Sequence, residues 1–139
     1  MLPPESITDI SHVIQTVMAP VFLLVGIGAF INAFAGRLSR IVDRSRVLEQ
    51  QSMREPARSE LHVLKRRART VYVGITMGIA SALLVCLSIA VAFIGHFLDA
   101  NVAAVIGILF IAAMLMLVGT LLAFLREVFL AIRALGAVE

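Results

Sequence analysis

Three stretches of this chain, residues 13–36, 71–98 and 101–125, contain no Asp, Glu, Lys or Arg, and uncharged runs of that length have few folds open to them. As α-helices rising ~1.5 Å per residue, each covers the roughly 30 Å hydrocarbon core of a bilayer. A helix also satisfies its backbone hydrogen bonds within its own segment, as lipid requires. The expected fold class is an all-α membrane protein with three transmembrane helices. Composition agrees, since a chain that is 60% hydrophobic and 15% charged, with mean hydropathy +1.01, carries more apolar surface than one soluble core could hide. Residues 1–139 read as a single membrane domain, with no room for a separate enzymatic one.

The charges say which way the spans run. Ten of the twelve Lys and Arg lie between Arg37 and Arg69, and the other two, Arg126 and Arg133, follow the third run. The net charge of +3 would suit nucleic acid, but no binding motif accompanies it, and membrane topology alone produces such clustering. With residues 37–70 in the cytoplasm, all twelve basic residues are inside and none outside. The N-terminus is then outside and the C-terminus cytoplasmic. The first twelve residues carry Glu5 and Asp9 but no basic residue, so the first run is expected to stay in the membrane rather than be removed as a signal. Cys86 is the lone cysteine and reads as a small packing residue.

Between the first two spans the apolar residues keep a helical rhythm. Phe34, Leu38, Ile41, Ser45, Leu48 and Ser52 alternate spacings of four and three, and Ala57, Leu61, Leu64, Ala68 and Val71 do the same after Pro56. These seams predict a cytoplasmic antiparallel helical hairpin, residues 37–70, that extends the first two spans, with its tip near 53–57. Pro56 disfavours helix at Glu55 and suits the first turn of the returning helix. Residues 1–12 form an outer tail turning helical near Ser6, Pro20 is a candidate kink, a tight turn at Asp99 and Ala100 joins the last two spans, and 126–139 form a cytoplasmic tail.

No span holds an Asp, Glu, Lys or Arg in its membrane core, although His96 lies close to the outer end of the second, and this weighs against proton-coupled transport and against hydrolysis. Neither a catalytic set nor a cofactor is expected. His12, His62 and His96 fall in the outer tail, the cytoplasmic hairpin and the outer turn respectively, so no shared metal site is expected either.

Four other features stand out. Asn32 is the most polar side chain deep in the first span, with Gly28 and Gly36 four residues to either side. Its amide should face another helix or a watery cavity, either as inter-helical glue or as a constriction in an oligomeric pore. Gly74, Gly78 and Ala82, extended by Cys86, form a small-residue packing face that suits a helix of the same chain or of another subunit equally. Arg37, Arg40, Arg44, Lys65, Arg66, Arg67 and Arg69 make a basic collar at the cytoplasmic surface. The collar serves topology and anionic headgroups, and it also suits a pore vestibule or a dock for an acidic partner. Glu127 is expected to pair with Arg37 or Arg40 at the same membrane level.

The segments Ala19-Pro20-Val21-Phe22-Leu23-Leu24, Arg37-Leu38-Ser39-Arg40-Ile41-Val42-Asp43-Arg44, Leu64-Lys65-Arg66-Arg67-Ala68 and Phe124-Leu125-Arg126-Glu127-Val128 resemble the bacterial membrane-protein family called domain of unknown function 2721. The resemblance covers almost the whole chain. It implies a multi-pass protein of the bacterial inner membrane and supplies no established activity or catalytic residue. The functional expectation is a non-enzymatic, homo-oligomeric helical assembly suited to conducting ions. The alternative is an accessory or scaffold subunit that docks a protein partner through its hairpin.

Overall fold

The computed structural model describes residues 4–50, 55–98 and 101–136. They form three helices, α1 Pro4–Gln50, α2 Glu55–Phe97 and α3 Ala103–Gly136. All three are long and apolar enough to cross a membrane, with mean hydropathy of 2.2, 2.5 and 2.8 in their most apolar stretches. At ~1.5 Å per residue, α1 and α2 are far longer than a ~30 Å hydrocarbon core, so both project well beyond it.

The boundaries differ from the sequence expectation in small ways. α1 starts at Pro4 rather than near Ser6, so most of the expected outer tail is helical, and Pro20 lies inside α1. A proline in a first turn loses no helical hydrogen bond. α2 includes Glu55, which the following proline was expected to exclude. α3 begins at Ala103 and runs to Gly136, so the segment after the third span continues as helix. Met53 and Ser52, expected at the hairpin tip and seam, lie outside the described residues.

α2 is the central element, packed along both α1 and α3. The core is thin. Ile27, Val85 and Ala113 form its centre, with Leu23, Leu24, Ile31, Ala82, Leu84, Ile89 and Leu117 packed round them. Large apolar side chains such as Phe22, Val25, Leu83, Ile108 and Leu115 point outward instead. A water-soluble bundle would bury that stripe, whereas a bundle solvated by acyl chains has no reason to.

The two expected seams do face each other. Phe34, Leu48 and Val71 are buried, and Leu38, Ile41, Ser45, Leu61, Leu64 and Ala68 are half-buried. Ion pairs cross the hairpin beside the seam, among them Arg44 to Glu60 at 3.1 Å and Lys65 to Glu49 at 3.8 Å. Being exposed, they fix register more than they stabilise.

Within the spans, a buried polar contact joins α2 to α3, in which the Ser81 hydroxyl donates to the Ala113 carbonyl at 2.8 Å. Hydrogen bonds between membrane helices contribute about 0.6 kcal/mol on average. Ser81→Ala is expected to lower unfolding free energy by roughly that amount. An unfolding titration in mixed micelles measures it.

Candidate functional site

The small-residue row of α2 is used within the chain. A Cβ at Gly74 would lie 2.8 Å from Cζ of Phe34, and one at Gly78 would lie 3.2 Å from Ile31, so α1 closes directly onto these two glycines. Ala82 packs against the core one turn further on. Cys86, expected to extend the packing row, is exposed instead.

The Phe34 ring, fully buried, also meets Phe124 of α3 edge-on with centroids 5.3 Å apart, and Phe30 meets the same ring at 5.9 Å. Arg37 lies over Phe124, its guanidinium carbon 5.1 Å from the ring centroid. This cation–π contact occupies the arginine that was expected to reach Glu127. The carboxylate pairs with Arg67 of α2 instead, where Nη2 donates to Oε1 at 2.7 Å. The expected Arg37 or Arg40 partner is thereby corrected. α3 packs along α2, so an arginine of α2 has the shorter approach.

This pair is buried unevenly. The Glu127 side chain is 2% exposed and that of Arg67 28%. Glu127 Oε2 and Arg67 Nε are both enclosed and find no hydrogen-bond partner among the described residues. The pair ties the base of the hairpin to α3 with only one of its possible two hydrogen bonds.

The basic collar thus divides by use. Arg44, Lys65 and Arg67 are ion-paired and Arg37 rests on an aromatic ring. Among the described residues, the side chains of Arg40, Arg66 and Arg69 make no such contact.

Asn32 faces away from the bundle. Five residues from buried Ile27, it sits about 140° round α1 from the core-facing line. It is exposed, and so are Gly28, Gly36, Ser39 and Asp43 on the same side. A Cβ at Gly28 or Gly36 would meet nothing within 4 Å. Neither α2 nor α3 covers this face.

At the opposite end of the spans, His12 and His96, expected in the outer tail and the outer turn, line one apolar cavity of about 520 Å³ with Thr16, Ser88 and Phe93 among its walls. The Thr16 and Ser88 hydroxyls donate to carbonyls of their own helices, at 2.8 Å each. His62 is exposed on the hairpin. Among the described residues no three His, Cys, Asp or Glu side chains gather as metal ligands would.

A family model described as Protein of unknown function (DUF2721) matches residues 17–137. The chain belongs to this family. No curated protein and no solved structure matches it. The DUF2721 match runs from the first span to the end of α3, so the hairpin, the Arg67–Glu127 tie and the outward face of Asn32 all lie within it. Sequence reasoning missed Arg67 as the partner of Glu127 and missed Phe124 as the ring on which Phe30, Phe34 and Arg37 converge. A register counted back along α2 and α3 from their shared turn brings Glu127 towards the basic end of α2, and that was the available signal.

Proposed function

We propose that this DUF2721 protein is a non-enzymatic module of the bacterial inner membrane whose copies associate through the uncovered face of α1. The carrying observation is the Asn32 amide, which its own chain leaves exposed between two glycines that nothing covers. An amide left in hydrocarbon without a partner costs several kcal/mol in the least polar reference. Small residues on both sides let a second backbone come close enough to supply the missing hydrogen bond. Asp43 continues the same face beyond the span and makes no ion pair among the described residues, which leaves it for a basic residue of another copy.

In a closed ring, α1 helices turned towards the axis would place their Asn32 amides in one layer, and conduction of ions along that axis is the activity we assign. The hairpin lies in the cytoplasm, because that assignment puts every basic residue inside.

Cross-linking tests the assembly. In a Cys86→Ser background, Gly28→Cys and Gly36→Cys should give a ladder of linked chains with a short bis-maleimide in native membranes, whereas Leu115→Cys on the outer face of α3 should give far less. Equal yields at the three positions would contradict the α1 interface. The pore is tested separately in liposomes, where Asn32→Leu should abolish flux. Absence of flux from the unsubstituted protein under every voltage, pH and osmotic gradient would refute conduction.

The scaffold reading draws on Val47 and Val63, exposed apolar side chains on the hairpin outside the spans. Stoichiometric proteins retained through gentle purification would favour it.

A further inference from the structure

We infer that the groove between α2 and α3 at the hairpin end is a binding site for one anionic phospholipid of the adjoining leaflet. The groove, of about 510 Å³, is lined by Arg66, Arg69 and Arg126 at its outer end and by Val73, Met77, Leu122 and Ala123 deeper in the span. The three arginines are exposed and make no ion pair among the described residues. The nearest carboxylate in sequence, Glu127, is spent on Arg67 and turned into the core. Three guanidinium groups therefore converge on one opening that no acidic residue lines. A phosphate diester is the counter-charge that this geometry lacks, since guanidinium donates two parallel hydrogen bonds to phosphate oxygens.

The apolar part of the groove selects a lipid over a soluble phosphate. From Arg66 to Met77 is eleven residues, or about 16 Å along the helix, close to half of the ~30 Å hydrocarbon core. An acyl chain running down from a headgroup held by the arginines would follow this wall for the depth of its own leaflet. Gly119 keeps the floor open to Met77, whose side chain occupies the space a Cβ there would need. Basic pockets between transmembrane helices on the cytoplasmic side are a recurring form of headgroup site. The inference needs only one chain in a bilayer and is independent of the α1 interface.

The test reconstitutes the full-length protein in phosphatidylcholine vesicles and measures, by electron paramagnetic resonance, the motionally restricted fraction of spin-labelled phosphatidylglycerol against spin-labelled phosphatidylcholine. Substituting Arg66, Arg69 or Arg126 by Gln should each lower the preference for phosphatidylglycerol roughly fivefold, the net worth of one hydrogen bond to the bound phosphate. Arg40→Gln, which removes an unpaired arginine outside the groove, should leave the preference within about twofold. Equal losses from Arg40→Gln and Arg126→Gln would show a diffuse surface potential and overturn the site. Displacement of the lipid by millimolar inorganic phosphate would overturn the lipid assignment. Ala123→Phe, which narrows the apolar wall, should reduce the restricted fraction of both lipids. If that variant does not fold, the exposed arginine substitutions decide the question alone.

Discussion

Replacing Arg67 by Met is expected to destabilise the bundle by roughly 3 kcal/mol, the largest single effect of any charged residue in the chain. The change leaves the Glu127 carboxylate enclosed at 2% exposure with nothing to offset its lost hydration. Glu127→Met should cost less, because Arg67 is 28% exposed and its long side chain can turn its charge towards water. The double variant Arg67→Met, Glu127→Met should recover most of the loss, since a buried pair replaced by apolar side chains of similar volume is often close to neutral. A double-mutant cycle of unfolding free energies in mixed micelles measures the coupling. Additive losses would mean that the two side chains do not act as a pair.

Phe34→Ala should be comparably damaging, at about 3 kcal/mol, because the ring is fully buried where all three helices meet and its removal leaves a cavity. Gly74→Leu attacks the same contact from the other side. Its Cβ would lie 2.8 Å from the Phe34 ring, so α1 must move outward at a cost of about 1–3 kcal/mol. The combination of Phe34→Ala with Gly74→Leu should be less harmful than the two losses added together, as the new side chain fills the space the ring vacates. The same micelle titration reads all three. Strict additivity would place Phe34 and Gly74 out of contact.

Much of this fold is legible in the sequence because it rests on one-dimensional patterns. An uncharged run of membrane length declares a span whatever surrounds it. The alternating spacing from Phe34 to Leu48 and from Leu61 to Val71 declares a seam, and those side chains are the buried or half-buried ones. The details that escaped depend on the angle at which each helix faces its neighbours. Glu127 shares a membrane level with several arginines, and only the placement of α3 along α2 selects Arg67 while Phe124 occupies Arg37. Gly74 and Gly78 announce close packing by their spacing, but the partner is a matter of rotation, and it is α1 of the same chain. Asn32 shows the reverse case. Its polarity demanded a partner, and its own chain leaves that side of α1 open.

That open side underlies the proposed function, and particle mass tests it most directly. Extracted into native nanodiscs without detergent, the protein is expected to weigh at least twice its 15.0 kDa chain, in a whole-number multiple, with Asn32→Leu shifting the population towards single chains. A uniform 15.0 kDa particle from the unsubstituted protein would contradict association through α1.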